Sequence, residues 1–161
     1  MNTNPISQQA EPTKQNGGSA LDFCLRLTRA NAVVTNRLDR TLSGLHGLSF
    51  SDFMILLYLS RAPETRLRRV DLALRMELTP SGVTRSLLPL EKRGLVSRES
   101  HDRDARIAFA CLTDAGAELL GYAQQSAHTI AEEATQPIRG QNFDAISSTL
   151  ASLAGMNLGN S

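Results

Sequence analysis

The sequence predicts a mainly α-helical protein that carries a single two-stranded β-hairpin. Through most of the chain, apolar residues recur at spacings of three, four or seven, the period of a helix with one buried face. Capping residues precede these segments, and glycines or prolines follow them, as is typical of helix ends. Residues 95–112 alternate instead, as two short apolar and polar runs joined by a charged stretch.

The charges of this chain are sorted by position. Its 161 residues include 17 Lys and Arg against 16 Asp and Glu, so the net charge of +1 alone indicates no partner. Residues 61–106 nevertheless hold eleven basic and seven acidic side chains, whereas residues 107–161 hold one and five. The middle of the chain is therefore a basic segment, as in proteins that bind polyanions.

Composition and motifs exclude several classes of protein. A hydrophobic content of 41% supports a folded core, and the longest apolar run, Phe53 to Leu59, is far shorter than the roughly 20 residues that span a bilayer. The polar start of the chain lacks the core of a secretion signal, so a cytoplasmic protein is expected. No catalytic motif is present, and the three histidines lie far apart. We therefore predict no enzyme, no metal site and no cofactor.

The N-terminal part is expected to contain a tail and a long helix. Residues 1–18 have no apolar period and are expected to form a flexible tail. Ser19 with Asp22 has the spacing of a capping box, which opens the first helix. This helix is expected to run to about Ser43 and to end at Gly44.

The second helix is predicted to be buried. Ser49 with Asp52 repeats the capping-box spacing, and the segment FMILLYLSR that follows is apolar on nearly all sides. It has room for about three turns before Pro63 closes it. A helix without a polar face belongs in the core.

Two helices in close succession come next. Residues 70–78 make a short helical pattern with three apolar residues on one side, namely Val70, Ala73 and Leu74. Thr79 is a good N-cap for the following helix, and Pro80 suits its first position, whose amide has no partner in any case. That helix is expected to stop at Gly94 in the left-handed conformation.

The rest of the chain predicts a hairpin and two more helices. LVSRES and RIAFACL alternate as strands do, and the HDRDA between them makes a charged tip. Thr113 is expected to cap a long helix that lasts until Pro137. Asn142 is expected to open the last helix, which ends near Gly155 and carries an apolar stripe of Phe143, Ile146, Leu150 and Leu153.

Paired helices followed by a hairpin are the parts of a winged helix-turn-helix. The second helix of such a pair enters the major groove and presents its N-terminal residues to base edges, which here are Ser81, Thr84 and Arg85. The unpaired amides at its start, around Ser81 and Gly82, point partial positive charge at a phosphate. Gly82 also leaves room for a close approach of the DNA backbone.

These residues resemble the MarR family of bacterial transcription regulators. The resemblance covers Val70 to Leu120, about a third of the chain, and is specific because its elements occur together in order. They are Leu72-Ala73, Ser81-Gly82-Val83-Thr84-Arg85, Leu90-Glu91, Gly94-Leu95-Val96, Asp104-Ala105-Arg106, and Leu112-Thr113 with Gly116. The flanking helices are similar to the family only in length and order.

The resemblance implies a homodimer that binds pseudo-palindromic double-stranded DNA as a repressor and is released by a small effector. After the tail over 1–18, it implies a dimerisation region over 19–47 and 113–158 and a DNA-binding domain over 48–112. In the wing, Asp104 would steady Arg106 in the minor groove, with Arg103 nearby. The DNA-binding residues expected in all are Thr79, Pro80, Ser81, Gly82, Thr84, Arg85, Arg103, Asp104 and Arg106.

The effector is not identified by the sequence. Family members often admit anionic aromatic compounds, in a cleft between the dimerisation helices and the winged domain. Arg26 and Arg29 on the first helix are suited to attract such an anion or to face solvent. Arg66, Arg68 and Arg69, before the helix pair, are equally suited to solvent and to the DNA backbone.

Two alternatives remain open at this point. Some MarR relatives sense peroxide through a cysteine near the start of the first helix, and Cys24 stands there, although Asp22 opposes a lowered thiol pKa and a small buried hydrophobe is the simpler interpretation. Cys111, on a strand, is expected to pack beneath the wing. The other alternative is a winged helix that binds protein rather than DNA.

Overall fold

The structure is a computed structural model that describes residues 18–101, 104–140 and 142–155, without the side chains of residue 101 and residues 104–106. The predicted tail thus lies almost wholly outside the described residues. The helices are α1 (Ala20–His46), α2 (Phe50–Ser60), α3 (Arg69–Arg75), α4 (Pro80–Lys92), α5 (Asp114–Thr135) and α6 (Phe143–Leu153). The strands are β1 (Arg66–Arg68), β2 (Val96–His101) and β3 (Asp104–Leu112), and two short 3₁₀ turns cover Pro63–Thr65 and Gln136–Ile138.

The chain divides into two compact units, at the bond between Val33 and Val34. The first unit holds the N-terminal half of α1, whose start is capped as predicted: the amide of Asp22 donates to Ser19 Oγ, and the amide of Ser19 donates to Asp22 Oδ2. Its large apolar side chains are exposed, namely those of Leu21, Phe23, Leu25 and Val33.

The second unit is built around α2, which contacts α3, α4, α5, β1 and β3. The predicted capping box at its start is present, with Ser49 and Asp52 each accepting from the other's amide. Four of its side chains are buried, in agreement with a segment that is apolar on nearly all sides. The largest fully buried side chains of the core are those of Leu42, Leu48, Ile55, Leu56, Leu59, Leu72, Val83, Leu87 and Leu90.

The end of α1 differs from the prediction. Gly44 lies inside the helix, which continues to His46 and ends at Gly47, where φ is +62°. The amide of Leu48 then donates to the carbonyl of Leu42, and the Leu48 side chain is fully buried. A left-handed residue at Gly47 rather than Gly44 is what delivers Leu48 to the core.

The helix pair also differs in its apolar face. Leu72 and Ala73 are the buried residues of α3, whereas Val70 and Leu74 are 53% and 75% exposed. The prediction that Val70, Ala73 and Leu74 make the buried side is therefore wrong for two of the three. A seven-residue helix shows too few turns for its buried face to be read from spacing alone.

The hairpin belongs to a three-stranded antiparallel sheet of order β1-β3-β2. The sequence predicts β2 and β3, and both are present, with Val96 opposite Leu112 and Ser97 opposite Cys111. It does not predict β1, which pairs Arg66 with Cys111 and Arg68 with Phe109. Three residues are too few to show an alternating pattern.

The last two helices lie where they are predicted. Thr113 caps α5 by accepting a hydrogen bond from the amide of Gly116. Asn142 precedes α6 in a left-handed conformation, but its side chain makes no capping hydrogen bond, which corrects its expected role. Gly155 adopts φ of +67° after the helix, as the predicted end requires. Ala151 is the buried residue of α6.

Candidate nucleic-acid interface

The start of α4 is organised by its cap. Thr79 Oγ1 accepts a hydrogen bond from the amide of Gly82 at 3.1 Å, and Pro80 occupies the first helical position. A Cβ on residue 82 would stand 3.2 Å from that same oxygen. Gly82 therefore serves the cap itself, and its amide is paired rather than open to a phosphate, which corrects the expectation from the sequence. Pro80 has no amide hydrogen, and the amide of Val83 donates to the carbonyl of Thr79. Among residues 80–83, the amide of Ser81 is therefore the one without a partner in the described part of the chain, at the positive pole of a 13-residue helix.

The two faces of α4 are sharply different. Val83, Leu87 and Leu90 are fully buried, whereas Ser81, Thr84 and Arg85 are exposed on the other side. Thr84 Oγ1 donates to the carbonyl of Pro80 at 3.1 Å, which holds the hydroxyl against the helix start. Arg85 makes no hydrogen bond or ion pair with the residues that the structure describes. Its guanidinium donors are thus available to a partner.

An ion pair fastens α4 to α3. Arg69 bonds Glu91, and the two side chains are only 14% and 23% exposed. Arg69 Nε is buried without a partner among the described residues. A pair this sheltered from water is screened far less than a surface pair. Arg69 therefore pairs within the domain. The sequence pattern could not predict this ion pair, because Glu91 lies 22 residues away along the chain.

Arg66 and Arg68, which precede α3, also form ion pairs within the chain. Arg68 makes two hydrogen bonds to the carboxylate of Asp71, which raise the pKa of its guanidinium. Arg66 pairs with Glu64 and Glu99 and lies over the Phe109 ring, 5.1 Å from its centre. Glu64, followed by Glu99, raises the pKa of Arg66. These cations brace the sheet and the start of α3.

The structure describes only part of the wing tip between β2 and β3. The backbones of His101 and Asp104 pair at the end of β2 and β3. Arg103 lies outside the described residues, as do the side chains of Asp104 and Arg106. The wing roles of these three residues therefore stay predictions.

The two cysteines are free and differ in environment. Cys24 is exposed in the first unit, so its expected burial is wrong for the single chain. Cys111 is buried as expected, and burial, followed by the neighbouring Glu99, raises its thiol pKa to about 11. Cys111 is therefore protonated and unreactive near neutral pH.

The described residues show neither a metal-binding cluster nor a single membrane-spanning helix. They contain no group of three or more His, Cys, Asp or Glu that could hold a metal ion. None of their single helices is long and apolar enough to cross a membrane, and α1 with α2 passes that test only as a bent pair.

A cleft of about 670 Å³ opens in the second unit between the C-terminal half of α1, α2 and α5. Its walls combine apolar side chains with a few polar groups. The lining residues are Leu38, Phe50, Phe53, Leu57, Arg61, Gly121, Gln124, Gln125, Ala127, His128 and Ala131. Arg61 is the arginine of this lining. Its place there could not be predicted from a local pattern, because the cleft forms only when the three helices pack.

Comparison with known proteins agrees with this geometry. Residues 46–107 match the model of the MarR family. The fold is similar to that of Sco3205, a MarR family transcriptional regulator from Streptomyces coelicolor in complex with DNA, with 25% identity and a TM-score of 0.77 over 90% of this chain and 93% of that one. No curated protein sequence matches the chain.

Two further structures are similar. One is the transcriptional repressor CouR bound to a 23-mer DNA duplex, with 26% identity and a TM-score of 0.74 over 84% of this chain and 96% of that one. The other is CouR from Rhodococcus jostii RHA1 bound to p-coumaroyl-CoA, with 24% identity and a TM-score of 0.74 over 85% and 96%. With the capped, exposed α4 and the β1-β3-β2 wing in place, residues 46–107 carry the domain of the MarR family, and the fold of the chain is similar to that of MarR family winged helix-turn-helix transcriptional regulators.

Proposed function

We propose that this protein is a homodimeric repressor that binds a pseudo-palindromic DNA site and leaves it when a small molecule binds. The observation that carries the proposal is the exposed N-terminal face of α4, where Ser81, Thr84 and Arg85 stand together at the positive end of the helix. As a MarR-family transcriptional regulator the protein is not an enzyme, and we place its action in the cytoplasm, with the chromosome.

On DNA, α4 is proposed to act as the recognition helix. Arg85 has the donor fork that matches the two acceptors of a guanine in the major groove. Ser81 and Thr84 are proposed to contact base edges or phosphate. The hydrogen bond from the Gly82 amide to Thr79, together with Pro80 at the first helical position, fixes the start of the helix that carries them. The exposure of Ser81, Thr84 and Arg85 supports this assignment.

The wing is proposed to follow the adjacent minor groove. Arg106 would enter it, Asp104 would orient Arg106, and Arg103 would contact phosphate. A narrow A·T-rich minor groove concentrates negative potential, so this contact selects DNA shape more than base identity. The sheet that carries the tip is stiffened by Arg66 and its partners.

The homodimer is proposed from apolar surface that the single chain leaves uncovered. In the second unit, α6 exposes the stripe of Phe143, Ile146, Leu150 and Leu153 to between 37% and 59%. In the first unit, α1 exposes its own large apolar side chains. Contiguous apolar faces of this kind are commonly protein interfaces. We therefore assign dimerisation to residues 19–47 and 113–158, and DNA binding to residues 48–112.

The effector is proposed to be an anionic aromatic compound bound in the α1-α2-α5 cleft. Phe50, Phe53 and Leu57 offer an apolar wall for a ring, and Arg61 with His128 offers charge and hydrogen bonds for an anion. CouR, whose fold is similar, binds p-coumaroyl-CoA, an aromatic acyl thioester that carries phosphates. Binding of such a ligand by this chain would oppose the DNA-bound arrangement.

The test is a selection of bound sequences from random duplex DNA, followed by affinity measurements between about 50 and 200 mM salt. We expect an inverted repeat with half-sites about 10 bp apart, two chains per site, and affinity that falls steeply with salt. An affinity that does not change with salt, or a selection that enriches no sequence, would overturn the proposal. Aromatic carboxylates and aromatic acyl-CoA thioesters are then screened for release of the selected DNA.

A further inference from the structure

The segment that follows the recognition helix is held from two sides. Arg93, at the C-cap of α4, donates through its guanidinium to the carbonyl oxygens of Gly47 at 2.7 Å and His46 at 3.4 Å. Those carbonyls belong to the end of α1, where the helix leaves acceptors unpaired and carries its negative pole. A cation from α4 therefore satisfies the end of α1.

The start of α5 holds the same segment from the other side. Thr113 Oγ1 donates to the carbonyl of Gly94 at 2.7 Å, and the amide of Thr113 donates to the carbonyl of Leu95 at 3.2 Å. Gly116 then lies directly against this backbone. A Cβ there would overlap the Leu95 carbonyl oxygen and stand 2.9 Å from Leu112 Cδ1. Only glycine allows α5 to approach this closely.

The segment is equally fixed to α4 itself. The amide of Leu95 donates to the carbonyl of Leu90 at 3.0 Å, and Gly94 adopts φ of +71°. Each of these hydrogen bonds has a backbone group as donor, acceptor or both. Because hydrogen bonds depend on distance and angle, they fix the position of the backbone of residues 93–95 more closely than apolar packing would. Sliding or tilting α4 against α1 and α5 breaks several of these bonds at once.

We infer that residues 93–95, with Gly47, Thr113 and Gly116, form a recognition-helix joint that sets where α4 stands relative to α1 and α5. Because α5 leads into the proposed dimer face on α6, the joint determines the half-site spacing that the dimer accepts. The inference rests on the proposed function. Arg93 and Gly116 are positioning residues in it and do not contact DNA.

The principal test compares Gly116→Ala with Gly44→Ala on operators whose half-sites are moved apart or together by one base pair. One base pair shifts a half-site by about 3.4 Å along the duplex. Gly44 is a matched control because it is also in a helix and is exposed, with nothing within 4 Å of where its Cβ would stand. We expect the wild type and Gly44→Ala to lose about tenfold in affinity for each shifted operator.

Gly116→Ala is expected to bind the natural spacing about tenfold more weakly and to lose its preference over the shifted operators. Circular dichroism and thermal melting show whether that variant is folded. If it is folded and keeps the wild-type preference for spacing, the inference is wrong.

Arg93→Ala keeps the inference testable if Gly116→Ala does not fold. It is expected to reduce the preference for spacing without changing the slope of log affinity against log salt, and Arg93→Lys is expected to restore part of the preference through a single donor group. A slope that falls by about 1 would instead make Arg93 a phosphate contact and overturn its positioning role. So would an Arg93→Ala variant with the wild-type preference.

Failure of this inference is distinct from failure of the proposed function. If the wild type selects no inverted repeat, the dimeric DNA-binding proposal itself has failed. If the wild type has a defined spacing that both variants retain, the proposed function stands and the joint does not set the spacing.

Discussion

Arg85 is the side chain on which sequence specificity is expected to depend most. It is exposed on α4 and unpaired within the described part of the chain, so Arg85→Ala changes few internal contacts. We expect the variant to lose about 1–3 kcal/mol of binding free energy and to relax the preference at one base position. Arg139→Ala, which removes the same charge from an ion pair with Glu132, is the control. Equal weakening on all sequences would identify Arg85 as a phosphate contact instead.

Cys111 is expected to be protected from alkylation in the native protein. Burial, and then Glu99, raises its thiol pKa from 9.0 to about 11, so near pH 7.5 its thiolate population is about a hundredfold below that of an ordinary thiol. Iodoacetamide labelling followed by mass spectrometry measures this, with the protein in denaturant as the reference. Labelling of native Cys111 at the denatured rate would contradict the burial.

The same pKa has a consequence for stability. Between pH 9 and 11 the unfolded chain releases the Cys111 proton while the folded protein retains it. The contribution of this thiol to stability is therefore present below pH 9 and is lost as the pH rises towards 11. We expect Cys111→Ala to show a shallower loss of unfolding free energy than the wild type over this range, measured by urea titration.

Among the elements, the start of α4 combines stability with function. Thr79→Ala removes the oxygen that accepts from the Gly82 amide, and we expect it to destabilise the domain by about 1 kcal/mol. DNA affinity is expected to fall as well, because the residues of the first turn lose their fixed position. Thr79→Ser retains the acceptor and serves as the control. A variant as stable as the wild type in urea would show that the cap contributes nothing.

The wing is the second element whose role can be tested separately. Arg106→Ala is expected to reduce the preference for A·T-rich flanks while leaving the half-site sequence unchanged, since minor-groove shape is what such an arginine selects. Parallel binding selections with the wild type and the variant measure both. An unchanged flank preference would exclude Arg106 from the minor groove.

For the whole molecule, the exposed stripe on α6 is expected to hold the dimer together. A carboxylate introduced by Leu150→Glu in the middle of that stripe is expected to raise the dimer dissociation constant by at least about tenfold, because an unpaired charge would be buried. Ser148→Glu, on the opposite side of the same helix and exposed, is the control. Sedimentation equilibrium measures the constant, and an unchanged dimer would remove α6 from the interface.

Much of this fold follows from local chemistry that the sequence displays. Ser49, Thr79 and Thr113 cap α2, α4 and α5 through hydrogen bonds that span three residues, so type and spacing are enough to find them. The turn at Gly94 is predicted on the same basis. The exposed face of α4 follows as well, because its buried residues Val83, Leu87 and Leu90 recur at helical spacing over about two turns.

What the tertiary structure alone decided depends on residues far apart in the chain. Gly47 rather than Gly44 ends α1 because Leu48 is drawn into the core, and β1 exists only through its pairing with β3. Arg69 forms an ion pair with Glu91, which lies on another helix. The cleft beside Arg61 forms only where α1, α2 and α5 pack together. A local pattern cannot report such contacts, because their free energy is gained only when the chain has already brought distant segments together.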